Sequence, residues 1–226
     1  MTTALKNLPD YGPRQFADRT GLSEWQIERA QRLGLIPAPD PKTGRRPAAV
    51  LDDVRSRLDA ITQAVGTLPD VGATRAEEHL AALFPTVTVH PGTAAELARR
   101  GHLPIRGDFR GHTVYCGLTL EQFTGRDRAK VARASAAGHL HMRDGAARAL
   151  GLRDSDVEHL VRAGLLTPAD TAESRWNRHD VVPLYRQADL DRLRRSSRID
   201  WSAVHATPRG HRSPLAALPT RKAADR

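Results

Sequence analysis

The chain has 226 residues, enough for one large domain or two or three small ones. Its opening residues hold no apolar run before a small-residue cleavage site, and no stretch approaches the roughly 18 apolar residues of a membrane helix, so neither a secretory leader nor a membrane span is expected and a cytosolic protein is. The net charge of +9 points to a polyanionic partner, of which nucleic acid is the commonest in a cytosol.

The charge is uneven. Eight cations in residues 194–226, against Asp200 and Asp225, leave +6 there and only +3 over the other 193 residues. Arginine outnumbers lysine 31 to 4, as a GC-rich genome would produce, but that bias does not explain the excess over acids. The single cysteine, Cys116, excludes an internal disulfide and a multi-thiolate zinc site, and its apolar surroundings predict a core thiol.

Residues 1–66 form the first expected module. Pro13 to Arg19 reads as a short helix and Thr20-Gly21-Leu22 as a turn, with Gly21 suited to positive φ. Ser23 and Gln26 make a capping box for the next helix. Ile27, Ala30 and Leu33 recur along that helix as a buried stripe, which leaves Glu24, Gln26, Arg29 and Arg32 toward solvent. Gly34 stops the helix, Leu35-Ile36 can begin a strand, and Pro39 to Arg46, PDPKTGRR, suits a basic hairpin tip. A third helix is predicted over Leu51 to Val65, with Val54, Leu58, Ile61 and Val65 on one face.

Residues 67–125 form a fainter second module. Thr67-Leu68-Pro69-Asp70-Val71-Gly72 repeats Asn7-Leu8-Pro9-Asp10-Tyr11-Gly12 as a lead-in turn, and Leu22, Gly34, Ile36 and Pro37 reappear 67 positions on as Val89, Gly101, Leu103 and Pro104. Thr93-Ala94-Ala95-Glu96 reads as a capping box, and Arg106-Gly107-Asp108-Phe109-Arg110-Gly111 as a hairpin tip presenting Arg106 and Arg110.

The third module, residues 126–195, repeats the first more closely. Ala17, Gly21, Leu22, Ile27, Gly34, Leu35 and Ile36 return 130 positions later as Ala147, Gly151, Leu152, Val157, Gly164, Leu165 and Leu166, without a gap. Its second helix exposes Asp154, Asp156 and Glu158, a poor surface for a DNA groove, so a protein partner, another module or self-association is expected there. Trp176-Asn177-Arg178 and Val182 to Arg186 read as hairpin strands, with Arg175 or Arg178 near DNA, and Tyr115 and Tyr185 are expected to pack beneath their hairpins. The tail from 196, rich in proline, glycine and arginine, is expected to lack packed structure beyond Trp201, leaving Arg209 and Arg212 able to reach a narrow minor groove.

The run Gly21-Leu22-Ser23, then Ile27, then Gly34-Leu35-Ile36, with PDPKTGRR after it, resembles the winged helix-turn-helix of MerR-type regulators and excisionases. The resemblance implies a mainly α fold with small β-hairpin wings, in tandem modules. It also implies that Ser23, Gln26, Arg29 and Arg32 face duplex DNA from the second helix, with Lys42, Arg45 and Arg46 on the wing against phosphates. After Ile27 this chain has Glu28, Arg29 and Ala30 where MerR proteins usually carry an arginine and two tyrosines, and no long dimerisation helix follows, so effector sensing of the MerR kind is not implied. The whole chain also resembles a group of three-module proteins from high-GC bacteria, which supports the architecture alone.

No phosphate-binding loop, dinucleotide fingerprint or nucleophile elbow occurs. His139-x-His141 lacks a nearby carboxylate or cysteine to complete a metal set. The expectation is therefore a non-catalytic, cofactor-free, nucleoid-associated protein that prefers certain DNA sequences and acts in transcription or DNA architecture, the rival reading being a protein-interaction adaptor.

Overall fold

The computed structural model describes residues 10–173, 180–208 and 210–220. In chain order they form α1 (Pro13–Thr20), α2 (Glu24–Arg32), α3 (Ala48–Ser56), α4 (Leu58–Val65), β1 (Val71–Gly72), α5 (Ala73–Leu83) and α6 (Thr93–Arg99). Then come β2 (Ile105–Phe109), β3 (His112–Tyr115), α7 (Gly117–Glu121), α8 (Arg128–Gly138), β4 (Leu140–His141), α9 (Arg143–Leu150) and α10 (Asp154–Arg162). β5 (Asp170–Glu173), β6 (Val181–Arg186), α11 (Gln187–Arg194) and α12 (Trp201–Ala206) follow. The architecture is mainly helical with two small three-stranded antiparallel sheets, ordered β1-β3-β2 and β4-β6-β5.

The internal repeat has a direct structural counterpart. α9 begins and ends 130 residues after α1, and α10 does the same after α2. Gly21 and Gly151 each close the first helix of their pair at φ 73° and 69°, a left-handed conformation that β-carbon-bearing residues rarely adopt. Tyr11 and its counterpart 130 positions on, His141, each bridge to a segment after the helix pair, Tyr11 to Arg46 and His141 to Tyr185. Between α5 and α6 the connection runs from Phe84 to Gly92, longer than the Gly21–Ser23 turn of the first pair. That insertion explains why the second repeat is faint in sequence.

The chain divides into two compact units, residues 1–71 with 116–122, and residues 72–115 with 123–226. The three expected modules are thus distributed over two bodies.

In the first unit, Phe16, Ile27, Ala30, Ile36, Leu51, Val54, Ile61 and Val65 form the core. The helix predicted over Leu51 to Val65 is two helices, because Arg57 leaves helical geometry at φ −117°. The break lets α3 pack on α1 while α4 packs on α2, a pair of contacts that one straight helix would not make. Asp53 accepts from Arg57 across the break. No strand starts at Leu35-Ile36; the segment from Asp40 is instead a tight loop in which Asp40 Oδ1 accepts from the amides of Lys42 and Thr43, both at 2.8 Å.

In the second unit, α8 lies on α6, and α11 packs against both α8 and α9. Gly138 at the end of α8 approaches the loop before α6 so closely that a Cβ there would lie 2.5 Å from the carbonyl oxygen of Gly92. The predicted Thr93–Glu96 capping box does not form: Thr93 is already helical, Glu96 is fully buried, and Glu77 Oε1 instead accepts from the amides of Gly92 and Ala94. Tyr115 and Tyr185 are buried, as expected of residues beneath hairpins.

The tail differs from its expectation. Ile199, Val204 and Leu215 are buried in the core of the third repeat, and α12 is capped by Asp200, which accepts from Ala203 N at 3.0 Å. The Arg153 guanidinium donates to the carbonyls of Thr207, Pro208 and His211, and Arg162 to that of Ala216. Apolar residues at irregular spacing between prolines carry this packing, which periodicity does not reveal.

Candidate nucleic-acid interface

The second helix of each repeat is where a groove-reading surface is expected, and in each one face packs against later chain. α4 packs on α2, α8 on α6, and the turn at Pro214–Ala217 on α10. The covering contacts use the expected reading residues themselves. Gln26 closes the capping box through its Oε1, 3.0 Å from Ser23 N, and gives Nε2 to Gly66 O. Ser23 is half-buried in the same box.

Arg29 is not at the surface: it is 4 % exposed. Its guanidinium donates to Val65 O at 2.6 Å and to Asp70 at 2.7 Å, and it lies over the Trp25 ring. Arg32 remains half-exposed but also binds Asp70, at 2.9 Å. Burial pushes the Asp70 carboxyl up, but the Gly117 amide and the two arginines outweigh it and hold the group below its usual range. The arrangement is a fastening of α2 to the segment after α4, and it corrects the expectation that Arg29 faces solvent.

Arg46 is a second correction. It is 3 % exposed, stacks over Phe16 at 4.8 Å and donates to Pro37 O, and its burial lowers the pKa of the guanidinium. The isolated bridge to Tyr11 turns one of the two adjacent arginines inward: Arg45 is exposed and donates to Asp10 O at 2.7 Å. Lys42 is exposed.

In the third repeat Asp156 is also buried rather than exposed, accepting from the Arg153 amide at the start of α10, while Asp154 and Glu158 are exposed. In the second, the buried Glu96 binds Arg99, Arg100 and Arg186. Burial raises its pKa, and the hydrogen bonds and charges of Arg99 and Arg100 more than reverse the shift. Glu96, Arg99 and Arg186, which are paired with one another, also line part of a cavity of about 870 Å³.

The β2–β3 hairpin also faces outward. Every residue of β2 is exposed, on an edge of its sheet. The register steps from Ile105↔Tyr115 to Gly107↔Val114, so Arg106 is the extra residue of a bulge. Phe109 and His112 pair across the tip, and the two residues between them, Arg110 and Gly111, have φ 54° and 82°. Positive φ at both central positions defines the tight hairpin turn for which Asn-Gly is the usual solution. Among the described residues Arg110 is the one non-glycine with positive φ. Asp108 Oδ1 accepts from Gly111 N at 2.7 Å, so the acid at the tip serves the turn. Arg110 lies 5.2 Å over the Phe109 ring, which is 63 % exposed.

Arg106 and Arg110 thus stand at the surface where the sequence placed them. Arg212 is exposed in the packed tail, whereas Arg175, Arg178 and Arg209 lie outside the described residues. Phe109 and the left-handed Arg110 are the features that charge counting missed; the Arg-Gly step between a strand-forming Phe and His-Thr-Val-Tyr is the signal that marks them.

Among the described residues no group of three or more His, Cys, Asp or Glu side chains is placed to hold a metal, and no helix is long and apolar enough to cross a membrane. No protein-family model, curated protein or solved structure matches this chain.

Proposed function

We propose that this chain is a non-catalytic, cytoplasmic, nucleoid-associated protein that binds duplex DNA through its hairpin wings, its helix pairs being winged helix-turn-helix modules whose second helices serve internal packing. The observation that carries the reading is the exposed Arg106–Arg110 hairpin, with its basic tip held in a strained turn. Wings that grip phosphates supply affinity with little base reading, and two of the expected base readers, Gln26 and Arg29, are bound within the first unit. The role that follows is architectural rather than strongly sequence-selective. Lys42 and Arg45 on the first unit, and Arg212 on the second, add cations for the same polyanion.

Fluorescence anisotropy of the full chain on random duplexes, repeated across salt, tests this. The expected result is binding at low salt that weakens steeply as salt rises and differs little between sequences. Absence of binding at low salt overturns it. A second reading, a protein-interaction adaptor, is favoured by the exposure of Phe109 and Ile105 on β2, and absence of DNA binding would leave that reading in place. On α10, where the sequence predicts a protein partner, Asp154 and Glu158 are exposed, while the opposite side packs on the Leu215 segment.

A further inference from the structure

We infer that the β2–β3 tip enters the minor groove of duplex DNA, where Phe109 unstacks a base step and Arg110 occupies the groove beside it. The inference rests on the DNA-binding reading above and adds the groove and the mode of contact.

Four observations lead to it. First, Phe109 is the large apolar side chain next to the turn and is 63 % exposed, so the core does not need it. Second, the turn holds only Arg110 and Gly111, which makes the projection slender. A minor groove about 6 Å wide excludes a helix but admits single side chains from a narrow tip.

Third, Arg110 stays at φ 54°, a conformation in which glycine or asparagine would be unstrained. Strain retained at an exposed position points to a requirement for that side chain there. Fourth, the Arg110 guanidinium already lies 5.2 Å over the Phe109 ring. A cation paired with an exposed ring matches the negative potential of the minor groove and the apolar faces of its base pairs. The one acid at the tip, Asp108, directs Oδ1 to the amide of Gly111. The outward faces left on α2 and α10 carry acids, Glu24 and Glu28 on the one and Asp154 and Glu158 on the other, which makes them poor competitors for a polyanion.

The test uses the full chain with a short A·T-rich duplex carrying 2-aminopurine, whose fluorescence rises when it is unstacked, and a terminal dye for anisotropy on the same sample. The expected result is a several-fold rise in 2-aminopurine emission at saturation. Phe109→Ala should abolish that rise while weakening binding only a few-fold, with an unchanged circular dichroism spectrum because the side chain is at the surface. Saturated binding without any rise, or a rise that survives Phe109→Ala, overturns the wedge and leaves the DNA-binding reading standing. No anisotropy change at low salt overturns both.

Discussion

Arg29 and Asp70 meet at 2.7 Å across 41 positions of sequence, joining the middle of α2 to the segment that follows α4. The pair is mostly buried, with side-chain exposures of 4 % and 15 %, and the same arginine also satisfies the Val65 carbonyl at the end of α4. Loss of Arg29 leaves Asp70 its bonds to Arg32 and the Gly117 amide but leaves the Val65 carbonyl without this donor, a cost of about 1–3 kcal/mol. Arg29→Ala is therefore expected to lower the urea-unfolding free energy by about 1–3 kcal/mol, and with it the midpoint, while leaving the sequence preference of DNA binding unchanged. Chemical denaturation and binding to a panel of duplexes, run in parallel, check both halves. A loss of sequence preference in a fully stable Arg29→Ala variant would return Arg29 to the groove.

The second unit contains three histidines in contact, His90 stacked on His139 at 3.9 Å and His139 against His141 at 4.1 Å. His141 is held by Gln187, 2.7 Å from its Nε2. Burial, then the neighbouring His141 and His90, lowers the pKa of His139 from its ordinary 6.5. The unfolded chain thus takes up this proton more readily than the folded one, so the contribution of His139 is present above about pH 6.5 and is lost as pH falls through the lower folded value. Stability measured by urea unfolding should decline from pH 7.5 to pH 5, and His139→Phe, which keeps a stacked ring without a proton site, should flatten that decline. A slope unaltered by His139→Phe would place the titration elsewhere. Asp70 and Glu96, whose pKa values are lowered, add a separate loss below the ordinary carboxylate range.

The packed tail gives a third expectation. Each buried aliphatic side chain contributes about 1.5–3 kcal/mol, and the tail supplies Ile199, Val204 and Leu215 to a core whose domain-level stability is only about 5–15 kcal/mol. Truncation before Ile199 should leave the second unit largely unfolded or protease-sensitive. Arg153→Ala, which releases three tail carbonyls, should cause a smaller loss of about 1–3 kcal/mol. Limited proteolysis and denaturation measure both; a truncated chain as stable as the full one would show that the tail packing is superficial.

These expectations mark where sequence reading works and where it stops. The helix pairs were legible because Gly21, Gly34, Gly151 and Gly164 punctuate them and the apolar positions between repeat at a fixed spacing. The direction of Arg29 was not, since its partner Asp70 is remote in sequence and a helix position beside the apolar stripe reads as solvent-facing until something packs on it. Arg46 shows the same limit over a shorter span, because a basic hairpin tip does not reveal which of two adjacent arginines turns inward onto Phe16. The hairpin tip at Arg106–Gly111 was legible from its glycines and charges, but Phe109 gained its meaning only from exposure.

Arg110 allows stability and binding to be moved in opposite directions by one substitution. A residue with a side chain in the left-handed region costs roughly 1–2 kcal/mol relative to one without, and a glycine reaches φ 54° without strain. Arg110→Gly removes that strain and gives up the stacking of Arg110 on Phe109. The variant should be as stable as the parent or up to about 1 kcal/mol more stable, the greater freedom of glycine when unfolded offsetting part of the gain. Binding should weaken on every duplex, and the slope of log affinity against log salt should become shallower by about 0.9, the value of one phosphate contact. Arg110→Asn separates the two effects, since it tolerates the left-handed turn but lacks the charge. A variant that gains stability and keeps the parental salt slope would show that Arg110 shapes the turn without touching DNA.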